Sequence, residues 1–191
     1  MSIVSFIVIA LALGICNMIL FRRCGEATPV RLSAGLLTVV TVSVIHVLFL
    51  YLGNVLGHLL SFQSPTNPHM YDDVNAYIFL GITLIVIIKQ LRPYLRRNPQ
   101  LPVFSLNNNI TVLAMAAATG INVLLIGIGT GIVSDSVNIH KILWPLLIAS
   151  ILLGYLGLMF GRQKVALRPR RWMIVSNVLL LGVAIAAVVN A

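Results

Sequence analysis

Six apolar stretches carry almost none of the charge in this chain, and that segregation leaves few folds open to it. They run over about 2–21, 33–60, 74–91, 110–133, 142–160 and 172–189. A helix needs roughly 20 apolar residues to cross a bilayer core, and in lipid only a structure that satisfies its own backbone can do so. The second stretch is long enough to tilt, or to carry an interfacial turn around Gly53 and Gly57. The third and sixth are near the minimum. Composition agrees: 59% of residues are hydrophobic and 9% charged, where a soluble domain carries about a quarter charged. The expected fold class is an all-α integral membrane protein with six transmembrane helices. Residues 2–21 lack a basic leader and are followed by Arg22-Arg23, so they read as a retained span and not a secretory signal.

All but Lys141 of the 13 Lys and Arg residues fall in the first, third and fifth loops. The positive-inside rule then places those loops in the cytoplasm and both termini outside, in a cytoplasmic (inner) membrane. Trp144 and Trp172 open the fifth and sixth spans, where an amphipathic ring prefers the headgroup level. The net charge of +9 is confined to clusters beside apolar segments, which points to anionic lipid headgroups and away from nucleic acid. Cys16, in the first span, and Cys24, in a basic loop, fit no metal spacing or disulfide framework and read as free thiols.

Two features recur at nearly the same separation. Asn17 in the first stretch matches Asn122 in the fourth, and Tyr51-Leu52-Gly53 with Gly57 matches Tyr155-Leu156-Gly157 with Gly161. A duplicated three-span unit follows: repeat 1 at about 1–91, a linker at about 92–109 rich in Pro and Asn, and repeat 2 at about 110–191. An odd number of spans per unit makes the copies inverted. Inverted repeats place a substrate near the midplane, where one half rocks against the other. The chain is then a single transmembrane domain, 1–191, of two halves that do not fold alone.

Within the spans, Asn17 lies in Gly14-Ile15-Cys16-Asn17 and Asn122 in Thr119-Gly120-Ile121-Asn122, and the fourth span continues through Gly127, Gly129 and Gly131. Such glycines can loosen a helix and free carbonyls which, with the amides, offer neutral oxygens to a cation or a polar solute. Alternatively, an asparagine in lipid simply hydrogen-bonds a neighbouring helix. Gly53/Gly57 and Gly157/Gly161 fit the small-xxx-small pattern of close helix packing. His46 is the one titratable side chain deep in a span; it can bind a divalent metal, relay a proton or hydrogen-bond a neighbour. The four acids, Glu26, Asp72, Asp73 and Asp135, all fall in loops, and the cluster from His69 to Asp73 reads as a solvated loop. No nucleophile, catalytic dyad, phosphate loop or cofactor fingerprint is present, so an enzyme is not expected.

Ala118-Thr119 with Asn122 and the glycines after it, and Leu156-Gly157-Leu158-Met159-Phe160-Gly161-Arg162, carry a resemblance to the manganese efflux pump family of the lysine-exporter-like transporter superfamily. Gly14 to Asn17 matches more loosely. The resemblance covers most of the chain and implies six spans in two three-helix repeats with outward termini. It also implies a secondary transporter that exports a divalent metal cation, with Asn17, Asn122 and His46 as its binding residues. The family carries aspartates where this chain has Asn17 and Asn122, and an acidic residue at His46. The expected partners are a divalent metal cation, membrane lipid and a possible second copy, with no cofactor. Two alternatives stay open: export of a small organic solute such as an amino acid, or a membrane scaffold that transports nothing.

Overall fold

The computed structural model describes residues 2–27, 32–61, 68–95, 106, 108–133, 140–165 and 168–190, with backbone alone for 68–71 and 140. Regular structure among them is entirely helical: α1 Ile3–Ala27, α2 Leu32–Leu60, α3 Pro68–Leu95, α4 Asn109–Val133, α5 His140–Arg162 and α6 Pro169–Val189. All six are long and apolar enough to cross a membrane.

The helices overrun the apolar windows at their ends. α1 continues past residue 21 because its last turns gain partners: Arg22 forms an ion pair of 2.8 Å with Glu26, and Arg23 lies 5.5 Å over the Tyr94 ring. Cys24 and Glu26, expected in a loop, are therefore helical, and the Cys24 thiol is buried 3.7 Å from the sulfur of Met115. α3 takes in Pro93, expected in the linker. Near a helix end a proline has few following turns to disturb. Of that linker, 96–105 and 107 lie outside the described residues. Asn108 caps α4, its side-chain oxygen accepting the Ile110 N–H at 2.9 Å.

α1 packs mainly on α5, and α2 on α4; lesser seams join α3 to α4, α1 to α6, α3 to α6 and α2 to α5. Exchanging α1, α2 and α3 for α4, α5 and α6 returns the same set of neighbours. The two main seams are built alike. Gly157 and Gly161 of α5 lie against the carbonyl oxygens of Met18 and Arg22, while Gly53 and Gly57 of α2 lie against those of Leu124 and Ile128. A side chain at any of the four would collide with backbone, which is why only glycine allows this approach.

These contacts correct the unwinding expected at Gly14, Gly120, Gly127, Gly129 and Gly131. α1 and α4 are helical throughout, and no glycine among the described residues has a positive φ. The missing side chain is used for proximity instead. Gly14 would place a Cβ 3.1 Å from the Ala149 carbonyl oxygen and Gly120 one 3.1 Å from the Phe49 ring; Gly129 faces Phe79, and Gly127 and Gly131 face the carbonyls of Leu50 and Asn54. α2 likewise runs unbroken through Gly53 and Gly57, so the interfacial turn allowed for there is absent.

The largest core cluster, around Ile9, Leu50, Phe79, Ile126, Leu146 and Leu180, fills the half of the bundle nearer the termini and the even loops. Two smaller clusters, around Phe21 and Met115 and around Ile15 and Met18, lie in the opposite half.

Candidate functional site

A cavity of about 250 Å³ runs from mid-bundle toward the end where the first and third loops emerge. Leu13, Cys16, Asn17, Leu20 and Arg23 of α1 line one wall. Their three- and four-residue spacing puts them on one helical face, over a depth of roughly 15 Å. α4 contributes Ala118, Thr119, Asn122 and Val123; α3 contributes Lys89, Gln90, Pro93 and Tyr94; α2 gives His46 and α6 gives Met173. α1 and α4 thus form the walls, each held from behind by its glycine seam.

A hydrogen-bond chain crosses the cavity's edge. The Thr119 hydroxyl donates to the Met115 carbonyl at 2.8 Å, so its oxygen accepts from His46 Nε2 at 2.8 Å. That fixes the neutral Nε2–H tautomer and leaves Nδ1 to accept from the Asn17 amide nitrogen at 3.2 Å. Both ring nitrogens are occupied. In this conformation His46 holds and orients Asn17 instead of presenting a lone pair to the cavity. Asn17 and His46 are buried. The Asn122 side-chain oxygen is buried without a hydrogen-bond partner, the unspent acceptor a polar guest would use. No hydrogen bond joins Asn17 to Asn122. They line one cavity, each within a few residues of mid-helix.

Sequence reasoning assigned no role to Cys16, Gln90, Thr119, Met173 or the mouth residues Arg23 and Lys89. The Cys16 sulfur sits 3.4 Å from the Gln90 side-chain oxygen, 3.2 Å from the Ser176 hydroxyl and 3.9 Å from the Met173 sulfur. A signal for Cys16 was present. Matching α1 to α4 by what they touch pairs Met18 with Leu124 and Arg22 with Ile128. In that register Gly14-Ile15-Cys16 falls on Gly120-Ile121-Asn122, and the counterpart of Asn122 is Cys16, one residue from Asn17. Among the described residues no Asp or Glu lines the cavity, and no three of His, Cys, Asp and Glu gather as a metal site. The cluster from His69 to Asp73, expected as a solvated loop, is instead helical, in the first turns of α3, and the side chains of His69, Met70 and Tyr71 lie outside the described residues.

Six membrane-length helices around a largely apolar cavity that holds a few amides and hydroxyls are the architecture of a multi-pass membrane protein. The family described as "Putative manganese efflux pump" matches residues 29–188, and the chain belongs to that family. The match takes in His46 and Asn122 on α2 and α4; α1, with Cys16 and Asn17, precedes it. No curated protein and no solved structure matches the chain.

Proposed function

We propose that the protein is a secondary transporter that exports a divalent metal cation, taken up at the cavity between α1 and α4. The observation that carries this is the unpartnered Asn122 oxygen buried in the same cavity as Asn17. The carboxamide of Gln90 and the Thr119 hydroxyl add neutral donors beside them. The mouth lies at the end of the bundle with the basic loops, which the positive-inside rule assigns to the cytoplasm, while the packed cluster around Phe79 closes the other end. This is the arrangement of an exporter waiting for cargo. The pairwise exchange of helix neighbours supports two inverted halves that rock about the central residues, with an ion gradient or the membrane potential as the driving force. In cells lacking the transporter, the wild-type chain lowers accumulated manganese and Asn17→Ala and Asn122→Ala do not; restoration by both variants overturns the assignment.

A second reading is favoured by one observation: Arg23 and Lys89 line the cavity, and among the described residues no acid lines it with them. That field suits a solute bearing a carboxylate, such as an amino acid. Thermal-shift measurements with metal salts against amino acids separate the two readings.

A further inference from the structure

The donor set of the cavity differs from what a hard cation selects. Mn²⁺ favours carboxylate, carbonyl and water oxygens, whereas thiolate and thioether sulfur select softer metals. Among the described residues no Asp or Glu lines this cavity, whereas Cys16 and Met173 do, their sulfurs 3.9 Å apart. They come from different helices, α1 and α6. That separation lets a single ion reach both sulfurs. The Gln90 oxygen, 3.4 Å from the same thiol, supplies a third donor from α3. In the contact register of α1 and α4, Cys16 also occupies the place equivalent to Asn122, whose oxygen is unpartnered. Two equivalent central stations therefore present one sulfur and one free oxygen to the same space.

We infer that this cavity takes a thiophilic metal ion, bound by Cys16 and Met173 with an amide oxygen, in preference to Mn²⁺. The inference rests on the reading that the cavity is a metal-transport site, and it names the class of metal. Binding breaks the Cys16 S–H bond and forms a metal–sulfur bond; the proton leaves through the mouth to solvent, one per ion. No oxidant or reductant is needed. His46 keeps its role of orienting Asn17, because both its nitrogens stay engaged.

The test uses the full chain, purified in detergent, with Cd²⁺ and Mn²⁺ as probes and Cys24→Ala as the background so that a single thiol remains. Cd²⁺ is expected to bind at least tenfold more tightly than Mn²⁺, to give a thiolate-to-metal absorption band and to release one proton per ion. Cys16→Ser, which keeps size and hydrogen bonding, removes the band and weakens Cd²⁺ at least tenfold. Met173→Leu, which keeps volume, weakens Cd²⁺ severalfold and more than it weakens Mn²⁺. Tight Mn²⁺ binding without a Cd²⁺ preference, or a Cd²⁺ band that survives Cys16→Ser, overturns the inference alone. Binding of neither metal to the parent protein overturns the metal-transport reading with it.

Discussion

The two glycine seams are alike, and the cavity walls they support are not. On the α1/α5 side, Gly157 and Gly161 receive backbone from Met18 and Arg22; on the α2/α4 side, Gly53 and Gly57 receive it from Leu124 and Ile128. At the centre the likeness stops. Seven residues before the first seam glycine stands His46 on α2 and Ser150 on α5. His46 makes two hydrogen bonds to other side chains, while the fully buried Ser150 hydroxyl has no partner. Cys16 and Asn122 differ in the same way. The scaffold is paired while the chemistry is specialised, so substitutions in the seams act on folding and those at the centre act on cargo.

The comparison breaks most visibly at the seams. Gly57→Leu and Gly161→Leu are each expected to destabilise the protein by about 3 kcal/mol or more, because overpacking here meets backbone and not a movable side chain. Gly81→Leu and Gly182→Leu, with open space around them, should stay within about 0.5 kcal/mol. Thermal unfolding in detergent checks all four, and a large difference between Gly57 and Gly161 would deny that the seams are equivalent.

The centre gives smaller and unequal effects. His46→Phe removes two hydrogen bonds and frees the Asn17 amide, at a cost of about 1–2 kcal/mol, with reduced transport. Ser150→Ala at the matching place loses no partner and should be neutral or slightly stabilising. Between these two falls Asn54→Ala, which loses one bond of 3.4 Å to Thr130, a loss of roughly 0.6 kcal/mol for such a bond in lipid. Equal costs at His46 and Ser150 would contradict the specialisation.

The spans were legible because lipid imposes a length and a composition that few other folds share. The overruns at Arg22 and Arg23 were not, since beside the local Arg22–Glu26 pair they depend on the Val165 carbonyl and the Tyr94 ring, both contributed from distant sequence. The glycines of α4 were misread for a physical reason. Glycine lowers the barrier to unwinding and to close approach alike, and only the facing carbonyls of Leu50 and Asn54 decide which is used. Asn17, Asn122 and His46 were found as rare polar groups in lipid, and the structure brings all three to one cavity. Cys16 escaped because the asparagines were aligned with each other; aligning Gly14 with Gly120 would have exposed it. Gln90 and Met173 carried no local signal, as each gains its place only through α3 and α6 folding against α1.

The central claim is that cargo passes the amides of Asn17 and Asn122. The most direct measurement is metal flux in proteoliposomes holding the double variant Asn17→Ala/Asn122→Ala, beside the parent and Gly182→Ala. The account predicts flux at the protein-free background for the double variant, with an unfolding temperature within a few degrees of the parent, and unchanged flux for Gly182→Ala. A double variant that folds and moves metal at the parental rate contradicts it.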